Sequence, residues 1–256
     1  MQIWLKPYVV MCMLGLLCAS VDAQEPEQTN RPDKFVVGTI LHNPPYVTEN
    51  PSAGIDLDSV RAIMAYAGVE VEFLHAPIAR VEKLLESGAV DAMTTFKSQE
   101  GVCANSNVFG YWHDGVVVPR GSTQKIQSLA DLESLKVGMF PGAERVLAPQ
   151  LSPYLDRMGS KVTIFSAPLV LRMLRYNRID AYIGDYWSLE YAQQNDLEFK
   201  EQPRLFDIAL KLPPTPRSLC VRDPQRLAEF NRGLDAAQAA GVLEEILASY
   251  RPGLMD

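Results

Sequence analysis

The stretch VEKLLESGAVDAMTTF (Val81–Phe96) has a second copy, in pattern, at VLRMLRYNRIDAYIGD (Val170–Asp185). Each places apolar residues at helical spacing, then a residue that tolerates a left-handed backbone, then an apolar run that begins near Asp-Ala. The residue that would end the helix is Gly88 in the first stretch and Asn177 in the second. Both stretches predict a helix, a cap and a strand, so the chain is predicted to contain two similar α/β units.

Two aspartates hold equivalent places in the repeat, and a third has its own place. Asp91 and Asp180 start the predicted strands, where a carboxylate can accept hydrogen bonds from nearby turn amides, so we predict a structural role for both. Asp185 ends the second strand. It can cap the helix predicted for YWSLEYAQQN or face a ligand, and the residues alone leave both roles open.

The sequence around the repeat predicts an α/β fold. The order β–α–β–α–β begins at KFVVGTI (Lys34–Ile40) and is typical of an open, mainly parallel sheet. At Gly115–Gln124 an apolar run predicts a strand that leaves the first unit through a linker of Pro, Gly and Ser, and a second βαβ pattern comes after it. Open α/β sheets bind ligands beyond the carboxyl ends of their strands. Two such units that face each other therefore predict a cleft that closes by hinge motion.

The N-terminal residues have the pattern of an export signal. Lys6 precedes an apolar run, Val9–Ala19, that is shorter than the ~20 residues needed to cross a bilayer. VDA then suits a signal peptidase. Residues 1–23 are predicted to be a cleaved signal peptide that sends the protein to the periplasm, and residues 24–34 a flexible tail. Two alternatives remain: the run could stay as an anchor, or Cys18 could carry a lipid, although Leu17 is larger than lipoprotein signals prefer.

Export bears on the cysteines. Cys12 and Cys18 fall within the predicted signal, which leaves Cys103 and Cys220 in an oxidising compartment. They either form one disulfide, which would tie the C-terminal part of the chain to its first half, or stay as two buried thiols. The sequence leaves this pairing open.

Charge and motifs argue against several classes of function. The net charge of −7 provides no basic surface for nucleic acid, so no nucleic-acid partner is predicted. The sequence contains no G-x-S-x-G, P-loop or G-x-G-x-x-G motif. His42, His75 and His113 stand singly, without the spacing of a metal site. We therefore predict neither a metal nor a cofactor.

Several short motifs occur in a characteristic order: PPY after the first strand, GIDLD entering the first helix, then LLESGAVDA, LADLESLKVGMFPGAE, RIDAYIGD and AAGVLEEILASY. In this order, from Phe35 to Tyr250, the sequence resembles the bacterial extracellular solute-binding proteins of family 3, periplasmic receptors that feed ABC importers. The resemblance implies a two-lobed periplasmic-binding-protein fold of type II, with two open mixed sheets and a ligand cleft between the lobes. Lobe one would comprise residues 35–119 and 206–256, and lobe two residues 120–205.

The resemblance also implies roles for residues at the strand ends. Tyr46 lies where the family places an aromatic ring that stacks on the ligand, and Asp185 where a carboxylate takes the ligand's α-ammonium group. Gly142 and Ala143 match a strand–Gly–helix turn whose amides donate hydrogen bonds to an anionic group, although the family often has Thr or Ser in place of Ala143. From the residues alone, Tyr46 could also simply pack on Pro45.

The carboxylate side of the family's ligand site differs in this chain. Amino-acid receptors of the family carry an arginine after the third strand, and this chain has none between Arg80 and Arg120. Lys97 is the nearest cation, and it follows Thr95 and Phe96, which are also predicted to line the cleft. Arg80 could reach the cleft or remain on the surface. The hypothesis is a cationic or amine-bearing solute, or an amino acid held by Arg80 or Lys97.

The predicted function is capture of an amino acid or amine-bearing solute between two closing lobes. As the resemblance implies, a monomer would deliver the solute to an ABC transporter permease in the inner membrane. Two alternatives remain. One is a dehydratase-like periplasmic enzyme on the same fold, with Lys97 and Glu144 as acid/base candidates. The other is a partner that presents its ligand to a membrane sensor.

Overall fold

The strands form two sheets in the computed structural model, which describes Met1, residues 34–95 and residues 100–250. In chain order the strands are β1 (Lys34–Thr39), β2 (Glu70–His75), β3 (Ala92–Thr95), β4 (Ala104–Asn105), β5 (Gly110–Trp112), β6 (Asp114–Pro119), β7 (Lys136–Met139), β8 (Ser160–Thr163), β9 (Ala181–Asp185), β10 (Phe206–Lys211) and β11 (Thr215–Val221). The helices are α1 (Ile55–Tyr66), α2 (Ile78–Glu86), α3 (Ala143–Val146), α4 (Ala148–Leu151), α5 (Ala167–Arg175), α6 (Tyr186–Asn195), α7 (Pro224–Ala239) and α8 (Val242–Tyr250). The predicted signal peptide after Met1, residues 24–33 of the predicted tail, and the predicted site residues Phe96 and Lys97 lie outside the described residues.

Both sheets are mixed. The first has the order β2–β1–β3–β11–β4, with β5 also paired to β11, and the second has the order β10–β6–β9–β7–β8. In the first sheet β1 is parallel to β2 and β3, whereas β11 is antiparallel to its neighbours. In the second sheet β7 is parallel to β8 and β9, whereas β6 is antiparallel to β9 and β10. The predicted α/β fold with two open mixed sheets is confirmed, and we call these sheets, with the helices packed on them, lobe one and lobe two.

The lobe boundaries differ from the expected ones at two strands. The sequence placed residues up to 119, and residues from 206 onward, in lobe one. Both β6 and β10 belong instead to the sheet of lobe two, where β6 pairs with β9 and with β10. The chain therefore crosses between the lobes at His113 and again at residues 212–214. The apolar run of β6 predicted a strand correctly, but an apolar run does not specify the strand with which it pairs.

The two copies of the repeat end their helices in the same way. Helices α2 and α5 each have nine residues. Gly88 and Asn177 follow them with φ angles of +75° and +49°. Both angles lie in the left-handed region, as predicted, and glycine and asparagine are the residues that adopt it at least cost.

Asp91 and Asp180 also make equivalent hydrogen bonds in the two lobes. The carboxylate of Asp91 accepts a hydrogen bond of 2.7 Å from the Val36 amide in β1, and that of Asp180 accepts one of 2.7 Å from the Lys136 amide in β7. In return, each aspartate amide donates to the carbonyl of the same partner, at 2.8 Å. The predicted structural role is present, with the donor in a neighbouring parallel strand rather than in a turn. The match supports the reading of two similar units.

Cys103 and Cys220 form a disulfide, one of the two states that the sequence left open. Their Cα atoms lie 5.3 Å apart although 117 positions separate them in the chain. Cys220 is in the buried part of β11, and Cys103 directly precedes β4, which pairs with β11. The bridge therefore joins the last strand of lobe one to the segment that follows β3.

One cluster of buried apolar side chains extends across both lobes. It contains Tyr46, Ile55 and Leu57 from lobe one together with Tyr186 and Trp187 from lobe two. Removal of this apolar surface from water favours contact between the lobes beside Asp185. None of the helices in the described part of the chain combines the length and apolar character needed to cross a bilayer.

Candidate functional site

Two residues with a predicted ligand role meet where the lobes touch. The hydroxyl of Tyr46, in lobe one, donates a hydrogen bond of 2.7 Å to Oδ2 of Asp185, in lobe two. The side chain of Tyr46 is fully buried. Burial and the neighbouring Asp185 carboxylate raise its pKa well above the usual value, so Tyr46 keeps its proton and acts as the donor. The junction between the lobes is therefore the candidate site.

The backbone around Tyr46 is held by the start of α1. The first amides of a helix have no partner within the helix. Here the Ile55 amide donates to the Pro45 carbonyl at 2.9 Å, and the Asp56 amide to the Tyr46 carbonyl at 3.1 Å. Gly54 allows this approach, because its φ angle is +120° and a Cβ atom there would lie 2.3 Å from the Tyr46 carbonyl oxygen. The motif GIDLD thus positions the tyrosine.

Asp185 is the last residue of β9 and also caps the next helix. Its Oδ1 accepts from the Ser188 amide in α6 at 2.7 Å, and its Oδ2 accepts from the His113 amide at 2.7 Å as well as from Tyr46. A carboxylate offers about four lone-pair positions, so one more donor can be accepted even before Tyr46 moves. Burial raises the pKa of Asp185, and the hydrogen bonds from Tyr46, His113 and Ser188 oppose that rise.

A second carboxyl group, which the sequence did not single out, lies beside Asp185. Asp114 is the first residue of β6, stands opposite Asp185 in the antiparallel pair, and is 3% exposed. It accepts a hydrogen bond of 2.6 Å from the Thr215 hydroxyl at the start of β11. Burial, and then the charge of Asp185, raise the pKa of Asp114 to about 7, while the Thr215 bond opposes the rise. Asp114 was missed because HDG reads as loop and nothing local reveals its partner.

A buried arginine lies on the other side of Tyr46. Arg217 is 3% exposed and forms an ion pair with the equally buried Asp56. Its guanidinium carbon lies 4.5 Å from the centre of the Tyr46 ring, which is a cation–π arrangement. Burial lowers its pKa to about 10, so Arg217 remains charged at neutral pH.

Arg217 also bears on the family arginine that the sequence lacks. That arginine was sought after β3, because the family carries it there. Strand β11 runs antiparallel to β3, with Ser218 opposite Thr95, so Arg217 lies next to the end of β3. A cation therefore reaches this edge from a neighbouring strand. Its distance along the sequence hid it, and only the strand pairing reveals it.

The other residues predicted near the end of β3 have mixed outcomes. Thr95 is the last residue of β3, where its backbone pairs with Ser218. Phe96 and Lys97 lie outside the described residues, so their ligand role stays a prediction. Arg80 is exposed in the first turn of α2. No contact found among the described residues joins it to Tyr46 or Asp185.

Gly142 and Ala143 form the predicted strand–Gly–helix turn. Gly142 has a φ angle of +82° and precedes α3, which is only four residues long. The Ala143 amide donates to the Phe140 carbonyl at 3.1 Å, and its side chain is buried in the core of lobe two. The amide of Ala143, one of those expected to donate to an anionic group, therefore already donates within the turn.

Two pockets flank the contact between Tyr46 and Asp185. One, of about 560 Å³, is lined from lobe one by His42 and residues 48–51, from α6 by Tyr191, and from α8 by Tyr250. The other, of about 280 Å³, is lined by His113 and Arg217 together with residues of α1 and α8. Asp185 lines neither of them.

The sequence pattern of the bacterial extracellular solute-binding proteins of family 3 matches residues 35–252, which include every described strand except the first residue of β1. The chain belongs to this family. Its family-3 membership makes it a solute-binding protein of a group that works outside the cytoplasm. Family 3 and the similar structures consist of binding proteins rather than enzymes.

Solved structures with this fold include both receptors and sensor domains. An ancestral arginine-binding protein bound to arginine is 23% identical, with a TM-score of 0.67 over 85% of this chain and 98% of that one. A histidine kinase sensor domain is also 23% identical, with a TM-score of 0.69 over 87% and 98%. The BvgS VFT2 domain of Bordetella pertussis is 15% identical, with a TM-score of 0.70 over 86% and 94%. Likeness at these identities shows the shared two-lobed fold.

Among curated proteins, none matches this family-3 chain. Within the described ranges, no three side chains of His, Cys, Asp or Glu are grouped to hold a metal ion. The chemistry of the site thus rests on carboxyl groups, a tyrosine and an arginine.

Proposed function

We propose that this protein is a periplasmic receptor that captures a small amine-bearing solute between its lobes and delivers it to an ABC importer. The observation that carries the proposal is the position of Asp185. Its carboxylate accepts from the amides of Ser188 in lobe two and His113 at the crossing, and from the hydroxyl of Tyr46 in lobe one. An ammonium group that replaced this hydroxyl would be held by a charge-assisted hydrogen bond.

The charges at the junction favour a cationic group over an anionic one. Arg217 is already paired with Asp56, whereas neither Asp114 nor Asp185 forms an ion pair among the described residues. A solute cation would supply the missing positive charge. If the solute is an amino acid, its carboxylate would need Arg80, Lys97 or Arg217 as a partner.

Closure of the lobes distinguishes the solute-bound protein from the empty one. Asp185 and the N-terminus of α6 move with lobe two, and Tyr46 moves with lobe one. A solute that contacts both favours the closed arrangement by the difference in its affinity for the two states. The ABC importer would then recognise the closed form.

Titration calorimetry on residues 24–256 tests the proposal. The panel contains L-arginine, L-lysine, L-glutamine and putrescine, with succinate as a solute without an amine. We expect at least one amine to bind, and Asp185→Asn to weaken its binding about ten- to a hundredfold, because a hydrogen bond to a charged group contributes about 1.5–3 kcal/mol.

The matched control is Asp180→Asn, directly before the same strand, whose carboxylate accepts from the Lys136 amide at the start of β7. It should bind the solute as the wild type does. Binding of succinate alone, or equal affinity of Asp185→Asn and wild type, would refute the proposal. Recovery of a chemically altered solute would favour an enzyme, and delivery to a sensor kinase instead of an importer would replace the partner.

A further inference from the structure

Asp114 and Asp185 face the same side of the second sheet. They are opposite residues in the antiparallel pair of β6 and β9, so their Cβ atoms lie about 5 Å apart on one face. Asp114 is buried, and Asp185 reaches lobe one through Tyr46. Two carboxyl groups therefore meet at the junction, and the proposed function uses only one of them.

Among the described residues, three tyrosines and an arginine lie around this pair. Tyr182 of β9 and Tyr186 of α6 approach from lobe two, and burial together with the two aspartates raises the pKa of both. Tyr46 approaches from lobe one as a hydrogen-bond donor. Beside it, the charge of Arg217 is balanced by Asp56. None of these neighbours gives the pair a free positive charge.

Residues at or next to the two crossings contribute two hydrogen-bond donors and one distant cation. The His113 amide donates to Asp185, and the Thr215 hydroxyl donates to Asp114. Lys211 of β10 lies 5.8 Å from the centre of the Tyr186 ring. The imidazole of His113, a further titratable group beside the pair, stacks on the Trp187 ring with 3.6 Å between the ring centres. In the described ranges, no lysine or arginine forms an ion pair with Asp114 or Asp185.

Asp114 is buried and Asp185 is half-buried, and two adjacent carboxylates in such surroundings repel each other, so they do not both ionise at the usual pH. Burial and the charge of Asp185 raise the pKa of Asp114 to about 7, and burial raises the pKa of Asp185. Because the groups interact strongly, their protons belong to the pair. The pair therefore holds about one proton at about pH 6 and loses it as the pH rises through about 7.

We propose that Asp114 and Asp185 act as one cation-binding pair, which shares a proton before the solute binds and releases it to water when an ammonium or guanidinium group takes its place. The proposal rests on the proposed function and narrows its solute class to cations with several N–H donors on one group. No covalent bond forms or breaks. The solute arrives already charged. Once the shared proton has gone to water, both carboxylates can accept hydrogen bonds from the solute.

This exchange predicts a pH-dependent affinity. Below about pH 7 the solute must displace a proton, so affinity should rise about fivefold from pH 6 to pH 7, since the midpoint lies near pH 7. Above about pH 8 the proton has already left, and affinity should level off. Asp114→Asn cannot share a proton with Asp185, so it should bind the cation more weakly and lose the pH dependence.

The shared proton is tested first without any solute. A raised carboxyl pKa means that the folded protein holds a proton that the unfolded chain loses above about pH 4, so stability should fall as pH rises from about 4 through about 7. The melting temperature of the wild type should therefore fall relative to Asp114→Asn between about pH 5 and pH 8. Asp156→Asn, an exposed change on lobe two, should parallel the wild type. Parallel curves for wild type and Asp114→Asn would overturn the proposal.

Calorimetry with L-arginine, L-lysine and putrescine then counts the protons. Titration in two buffers whose ionisation heats differ, phosphate and Bis-Tris at about pH 6 and Tricine and Tris at about pH 8.5, should show release of about one proton at the lower pH and almost none at the higher. This count uses the wild type alone, so it does not depend on whether a variant folds. Binding that does not depend on pH and releases no proton would overturn the inference and leave the proposed function intact. Binding of L-glutamine but of none of the cations would overturn the inference alone, and binding of none of the four amines would refute both.

Discussion

The hydroxyl of Tyr46 and the carboxylate of Asp185 are hydrogen-bonded at 2.7 Å across the two lobes, although 139 positions separate them in the chain. The same carboxylate caps α6 and accepts from the amide of His113, where the chain crosses between lobes. One side chain thus connects the cleft, a helix of lobe two and a crossing segment. Any change in its bonds should alter both stability and closure.

Removal of the Tyr46 hydroxyl should loosen the contact between the lobes. Tyr46→Phe keeps the ring over Arg217 and removes only the donor to Asp185. The free energy of unfolding should fall by about 1–3 kcal/mol, because a buried carboxylate loses a hydrogen bond. Small-angle X-ray scattering should show a larger radius of gyration. Tyr176→Phe, at a side chain 61% exposed, is the control and should change neither quantity; equal behaviour of the two variants would contradict the prediction.

Glycine at position 54 should be required for the position of Tyr46. Gly54→Ala would place a Cβ atom 2.3 Å from the Tyr46 carbonyl oxygen. We expect a loss of more than about 2 kcal/mol in urea unfolding, and weaker solute binding. Gly121→Ala also has a positive φ angle but no atom within 4 Å of the added Cβ, so it should cost only about 1 kcal/mol and leave binding unchanged. Equal losses would show that close approach to the tyrosine does not matter.

The effects of substitutions at Arg217 and Asp56 on the free energy of unfolding should be strongly coupled, because the two residues form a buried ion pair. Arg217→Met leaves Asp56 buried without its cation, which should cost about 3–5 kcal/mol of unfolding free energy. Asp56→Asn in the same chain should recover part of that loss, since no buried negative charge then remains. Urea unfolding of the two single variants and the double variant measures the coupling. Strictly additive losses would mean that the pair contributes little to stability.

The disulfide should account for a large part of the stability of lobe one. Closure of a long loop in the unfolded chain contributes about 2–5 kcal/mol. Reduction by dithiothreitol should therefore lower the melting temperature of the wild type clearly. A variant with Cys103→Ser and Cys220→Ser should melt like the reduced wild type and should not respond to the reductant. A melting temperature that is unaffected by reduction would contradict this role.

Much of the fold could be predicted because the signals are local. The helix caps at Gly88 and Asn177, and the carboxylates of Asp91 and Asp180, act within a few residues or on the adjacent strand of a repeated unit. The same holds for Tyr46 and Asp185, which were placed at strand ends by pattern and by family resemblance. The structure adds that they touch each other and that Asp185 also caps a helix.

The sequence by itself determined the alternation of helices and strands, the two similar units and the residues at their strand ends, because periodicity and capping depend on neighbours in the chain. Only the tertiary structure decided that β6 and β10 belong to lobe two, that Arg217 lies under Tyr46, and that Asp114 stands beside Asp185. These relationships follow from strand register. A local pattern does not encode register, because a strand can pair equally well by pattern with several partners.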